Sequence, residues 1–433
     1  MKLLLLYRRR WWLLYLPIVL SLGLLLAVVA RVWDPLPPTR IVIGTGPAQS
    51  SYLQLARAYA NRLEHLGLAV DIVTHPRPQD PLHRMVEGDP SIDVTFAQGL
   101  YAAQGNGVQA LSVVGHEIIW VVARHSIEHI DQLRGKRIAT SVQDSSNRLA
   151  ANLLLAHLRI NEHEVTLTNH VGDEAVAALA SREVDAVVHV ATGDSQTANA
   201  LVRMDNVRIL GIERAGALAA REPNLRAVIM PQGSIELRSN LPASDLPTMV
   251  TLTHLLVRPG LHPAVQRALL DVAGELHVMA GFLERQGVYP TTLGSDFAVS
   301  PTAQRHAQGQ RPWMETLLPF RAAQWTQLWL FAVLPIMLLG GLLLWRAPRY
   351  IEWRVDAALQ HFYGDLKFLE QDMSSITATD PAAMRAALSR LDFLERQVAN
   401  MELPDRFADR WYTLREHLQH ARDRLMALRN GAA

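Results

Sequence analysis

The chain has no cysteine, which excludes disulfides, thiolate metal sites and thiol nucleophiles but does not choose a compartment. It also lacks an excess of either charge: 42 basic residues stand against 41 acidic ones. No long-range field of one sign follows, and no basic stripe suits nucleic acid, so no nucleic-acid partner is expected. The 17 histidines are scattered. His125 and His129 have i,i+4 spacing, but no carboxylate or third ligand accompanies them in a metal-like pattern, and no metal site is expected. A dinucleotide fingerprint is incomplete: Gly44-Thr45-Gly46 has no third glycine, and no cofactor is expected.

What the sequence does have is two long uncharged runs. Trp11 to Ala30 is 20 residues between Arg10 and Arg31, and Ala322 to Trp345 is 24 residues between Arg321 and Arg346. About 20 apolar residues cross the hydrocarbon core of a bilayer as a helix. Trp11, Trp12, Trp33, Trp325, Trp329 and Trp345 stand near the edges, where interfacial aromatics belong. Lys2, Arg8, Arg9 and Arg10 precede the first run; Arg346, Arg349 and Arg354 follow the second. Positive flanks stay in the cytoplasm, so both termini are expected inside and the middle outside, in a two-pass inner-membrane protein. A cleaved signal peptide ending near Val28-Val29-Ala30 is the alternative for the first run, although its apolar region is longer than usual.

Between the runs, short β-type segments alternate with helical patterns. Ile41-Val42-Ile43 leads through Gly44-Thr45-Gly46 into a helix whose face is Tyr52, Leu55, Ala56, Tyr59, Ala60, Leu63 and Leu66. Further strands are predicted at residues 69–74, 92–96, 111–114, 119–123, 137–140, 165–168 and 184–190, with helices at 146–158 and 173–180. Such alternation predicts a three-layer α/β fold with a largely parallel sheet. The expected organisation is a tail at 1–10, a membrane helix at 11–30, a linker at 31–39, an extracytoplasmic domain at 40–320, a membrane helix at 322–345 and a cytoplasmic helical region at 346–433. The domain divides into one lobe of about 40–123 and 246–320 and another of about 124–245, with hinges near 123–126 and 245–247. In the last region, helices are predicted at 351–373, 381–401 and 405–428. Phe407, Trp411, Leu414, Leu418, Ala421, Leu425 and Leu428 keep the 4-3 spacing of a bundle or coiled coil, so a small cytoplasmic helical bundle or a dimerising element is expected.

Three strand-to-helix loops carry chemistry. The first offers glycines and a helix N-terminus, suited to an anionic group. The second, Ser141 to Arg148, clusters hydroxyl and amide side chains around Arg148, whose guanidinium can grip a carboxylate in a fork. The third is Thr192-Gly193-Asp194-Ser195-Gln196. Its Gly-Asp-Ser superficially matches an esterase signature, but lies deep in the domain rather than near its start, so no enzyme is expected.

In this order the features resemble the TAXI-type solute receptors of TRAP transporters, over about residues 40–320. The resemblance rests on Gly44-Thr45-Gly46 with Tyr52, the 94–99 strand and turn with Gln98, Ile130 to Ala139 (like the family's DLKGKRVA), Ser145-Ser146-Asn147-Arg148 (where it has GSGTR), Val184-Asp185-Ala186-Val187 and Gly193. It implies a two-lobed, type II-like periplasmic binding protein domain closing on a small organic anion or amino acid. The implied pocket is Thr45, Ser51, Tyr52, Gln98, Ser145, Ser146, Asn147, Arg148 and Gly193. The sequence departs from the family where Pro47, Ala48, Gln49, Ser146 and Asn147 replace glycines; side chains there crowd the approach to a ligand. The implied partners are the lipid bilayer and a TRAP permease subunit. The alternative is a sensor or scaffold that passes binding to its cytoplasmic helices and a signalling partner, as a homodimer through those helices.

Overall fold

The computed structural model describes residues 12–33, 36–47, 50–375, 381–401, 403 and 407–430. The basic residues at 2–10, Ala48, Gln49 and Asp380 lie outside them. The chain forms two compact units: Leu36–Thr326, and Met1–Pro35 with Gln327–Ala433.

The unit 36–326 is built on one ten-stranded mixed sheet. Its strands are β1 (Arg40–Thr45), β2 (Ala69–Thr74), β3 (Val94–Gln98), β4 (Gln109–Arg124), β5 (Arg137–Ala139), β6 (Thr166–Thr168), β7 (Ala186–Ala191), β8 (Val207–Ile209), β9 (Arg226–Met230) and β10 (Leu246–Val257). The main path runs β2-β1-β3-β10-β4-β7-β5-β6, with β8 on β4 and β9 on β10. β1 is parallel to β2 and β3, and β5 is parallel to β6 and β7. The ladders of β10 with β3, β4 and β9, and of β4 with β7 and β8, are antiparallel.

The largely parallel sheet read from the sequence is therefore corrected to a mixed one. Each half keeps parallel βαβ units, but β4 and β10 run through both halves and meet their neighbours head to tail. β4 is a single 16-residue strand, not the two short ones expected. Its polar triplet Gly115-His116-Glu117 pairs in regular register with β10, next to a bulge at Val114, so the polarity does not mark a strand end. The joint shifts accordingly. β4 begins pairing with β7 at Ile118, and β10 passes from β9 to β3 between Val250 and Thr253. The hinges expected at 123–126 and 245–247 are strand ends inside the second half.

Each half has its own core. In the first, Ile41, Ile43, Tyr59, Leu63, Phe96, Leu255 and Leu269 pack together. The helix Ser51–His65 supplies Tyr52, Leu53, Ala56, Tyr59, Ala60 and Leu63, and Ser50 caps it by accepting from the Tyr52 N–H. In the second, Ile119, Val121, Leu133, Ile138, Leu154 and Val188 do the same.

In the other unit, the helices Leu334–Ser375, Pro381–Ala399 and Ala408–Asn430 bury one another's apolar stripes. Val355, Leu359, Leu369, Leu391, Val398, Leu414, Leu418 and Leu425 form their shared core. Of the two expectations for the 4-3 seam, bundle or dimerising element, the packing within the chain is that of a bundle. Phe320–Ser374 is one 55-residue run of helix, and among the described residues it is the one long and apolar enough to cross a membrane. The separate helix expected from 351 is fused into it: Pro348 lies within the run without ending it. A π-helical turn, Trp329–Val333, precedes Pro335, whose missing N–H and bulky ring favour such a slip of the bond pattern. The helix Trp12–Trp33 holds a shorter apolar stretch, Tyr15–Val29. A Cβ at Gly340 would lie 2.6 Å from Leu22 Cδ1, so the two apolar helices approach closely through a position without a side chain.

Candidate functional site

The joint between the halves of unit 36–326 is polar and buried. Glu117, in β4 opposite Thr251 of β10, is 4% exposed. Its Oε1 accepts from the Tyr52 hydroxyl at 2.6 Å and from Thr253 Oγ1 at 3.2 Å, while its Oε2 accepts from Gln98 Nε2. Four elements contribute: the helix after β1, the end of β3, and both crossing strands. Burial pushes the Glu117 carboxyl up against the lowering pull of its three donors. Burial, then the nearby Glu117 charge, raises the Tyr52 phenol well above its usual value.

The halves also meet through their loops. Tyr101, in the short helix Gly99–Gln104 after β3, donates from its hydroxyl to the Asp144 carbonyl at 3.1 Å. That carbonyl lies in the loop before the helix Ser146–His157. Behind the joint, His254 is fully buried and its ring is lowered to about 4 by burial; its Nε2 accepts from the Asp296 N–H at 3.1 Å. Asp296 in turn accepts from Arg226 at 3.0 Å.

Of the residues read from the sequence, the structure brings Tyr52 and Gln98 together, on a carboxylate of the protein itself. Thr45 is buried at the end of β1 and donates to the adjacent Gly46 carbonyl. Ser51 is exposed on the first turn of its helix. In the second half, Ser145 caps the helix Ser146–His157 by accepting from the Arg148 N–H. Ser146 is half-buried on the same turn. Asn147 Oδ1 accepts from the Val190 N–H at 2.8 Å, pinning that helix to β7. The Arg148 guanidinium donates to the Ser141 carbonyl and to Asn169 Oδ1, bracing the loop. Burial lowers its pKa. Gly193 follows β7 and lies against the Phe282 ring: any side chain at Gly193 would collide with it.

Glu117, Thr253, Tyr101 and Phe282 were not singled out by the motifs. The one available signal was the polar triplet at 115–117 between apolar runs. The remaining candidates have structural roles. Ser195 Oγ accepts from the Ala198 N–H and caps a helix. His129 pairs with Glu213, and His125 with Arg208. Among the described residues, no group of three His, Asp or Glu side chains is placed to hold a metal ion. Two cavities lie away from the joint. One of about 210 Å³ is lined by Arg267, Arg305 and Arg311; one of about 200 Å³ is lined by Asp356, Tyr363 and Arg410.

The family model described as NMT1/THI5 like matches residues 63–225, a stretch that covers β2 to β8 and so most of the second half. No curated protein matches the chain by sequence. Among solved structures, the periplasmic sulfonate-binding protein SsuA of a sulfonate ABC transporter from Methylobacillus flagellatus KT aligns at 16% identity, over 55% of this chain and 67% of its own, with a TM-score of 0.36. PhnD1 from Prochlorococcus marinus, in complex with methylphosphonate, aligns at 13% identity over 54% and 84%, with a TM-score of 0.38. The alkanesulfonate-binding protein SsuA from Xanthomonas axonopodis pv. citri, bound to MOPS, aligns at 19% identity over 56% and 75%, with a TM-score of 0.35. None of these alignments is close enough to carry a ligand over to this chain.

Proposed function

We propose that residues 36–326 are a solute receptor outside the cytoplasm, whose halves close over a small polar solute. The observation that carries this reading is the buried polar cluster at the joint. Hydrogen-bonding side chains from both crossing strands and from the first half's loop ends are gathered where two separately cored halves meet. Such a site needs no chemistry: differential affinity for the closed state is enough to drive a hinge. The solute we assign is a small organic anion or amino acid, following the TAXI-like motifs at 44–52, 130–139 and 145–148.

The protein would be held in the inner membrane by the helix Trp12–Trp33 and the apolar part of Phe320–Ser374, with both termini cytoplasmic. Two spans cannot make a permease of the repeated-bundle kind, so transport would require a separate membrane partner, a TRAP-type permease in this reading. The second reading, a sensor, is favoured by one observation: the helix Phe320–Ser374 has no loop in its 55 residues, and its last turns belong to the helical bundle.

The test is calorimetry on the full chain in detergent. Separate titrations would use amino acids, short carboxylates, sulfonates and phosphonates. Saturable binding of one class is expected; no binding heat with any of them would contradict a receptor.

A further inference from the structure

One segment of the chain fills a notch in the joint. From Val278 to Val288 its backbone bonds close on itself: Gly287 N to the Val278 carbonyl, Glu284 N to that of Gly281, and Val288 N to that of Arg285. Only beyond it does the chain zip onto the sheet, where Thr291 and Val113 exchange both backbone bonds at 2.7 and 3.0 Å. The strap is therefore held to the joint by side chains. Glu284 Oε1 accepts from the His116 backbone N–H at 3.2 Å and lies 3.1 Å from His116 Nδ1. The Phe282 ring lies on Gly193 and stacks on Trp120, with centroids 6.3 Å apart and planes 25° apart.

The seats under these two side chains are built into the fold. On this edge β4 is bridged to Thr291 at Val113 and to β7 from Ile118 onward. His116 lies in the gap between them, so its N–H finds an acceptor in a carboxylate, not a strand. His116 is 8% exposed and Trp120 2%. The missing side chain at Gly193 leaves a shelf that a flat ring fills.

We infer that Phe282 and Glu284 are an internal surrogate ligand, and that the solute is a small carboxylate with an aromatic body which displaces them. Its carboxylate takes the His116 backbone N–H and imidazole; its ring takes the face of Trp120 beside Gly193. This deepens the receptor reading and rests on it. Because the strap has no backbone bonds to the sheet from 278 to 288, it can leave without breaking a ladder, as segments drawn from the low-stability end of a fold do. A site occupied by its own chain has its apparent affinity reduced by the fraction of molecules that are open.

The probe is 3-phenylpropionate, with propionate and 2-phenylethylamine as controls lacking the ring and the carboxylate, titrated by calorimetry into the full chain in detergent. The double variant Phe282→Ala/Glu284→Gln should bind 3-phenylpropionate at least about tenfold more tightly than the unmodified chain, and either control much more weakly. Hydrogen exchange on the unmodified chain gives a readout that needs no variant: saturating 3-phenylpropionate should deprotect 278–288 while protecting 116–120. Equal or weaker binding by the double variant, or unchanged exchange in the strap, overturns the inference. Binding of another class with none of 3-phenylpropionate overturns the inference but leaves the receptor reading standing. Silence across every class overturns both.

Discussion

Glu117 is a carboxyl group among neutral donors in a place that water does not reach, and its proton should be visible in stability. Its pKa is raised in the folded state, so the folded protein holds the proton more tightly than the unfolded chain. The favourable contribution is fully present below the unfolded value of about 4.3 and is lost as pH rises through the folded one. Melting temperature against pH should therefore fall for the native chain relative to Glu117→Gln as pH climbs from acid toward neutral. A native chain that gains on the variant over that range would mean that Glu117 is an ionised, favourably solvated group. At this scale the sequence was half legible. Tyr52 and Gln98 could be picked out only through the resemblance to the TAXI-type receptors, which implies both as pocket residues. Glu117 could not, because a charged residue inside an apolar run reads as a break in the strand. Arg148 was legible as a guanidinium at a helix start, yet its partners, Ser141 and Asn169, depend on how the loop folds back.

At the scale of elements, period and capping carried the reading where structure is local. The helix Asp173–Ala180 matches its expected ends, and of the expected stripe Phe407, Leu414, Leu418, Ala421 and Leu425 are buried while Trp411 is half-buried and Leu428 exposed. What periodicity does not contain is the partner that covers a stripe. The 4-3 seam fits a second copy as well as it fits two neighbouring helices, and here the neighbours take it. Fully buried Leu414 should accordingly matter to the single chain: Leu414→Ala should destabilise the helical unit by about 2–5 kcal/mol. Hydrogen exchange in 408–430 should report that loss at every protein concentration. A loss of protection that appears only on dilution would instead place the seam between copies. Long crossing strands are hidden for a related reason. β4 and β10 change partners midway, so each face is buried by different elements along its length, and no single alternation runs through the strand.

For the whole molecule, the two compact units suit different surroundings. Unit 36–326 buries separate apolar cores around its sheet, whereas the other unit leaves Leu16, Leu20, Leu24, Leu338, Leu339 and Trp345 exposed along its apolar helices. Such a surface is stable when lipid covers it. The alternation of strands and helices pointed to an α/β domain, but not to one mixed sheet running through it, since strand order depends on contacts distant in sequence. Everything in the functional reading requires this domain and the helical bundle to lie on opposite sides of the bilayer. The absence of cysteine allows a direct measurement: single Ser239→Cys and Ser389→Cys chains, treated in intact cells with a membrane-impermeant maleimide. Both positions are exposed, one in the sheet domain and one in the bundle. Labelling at 239 without cell disruption, and at 389 only after it, is the predicted result; protection of 239 in intact cells would contradict a receptor facing outward.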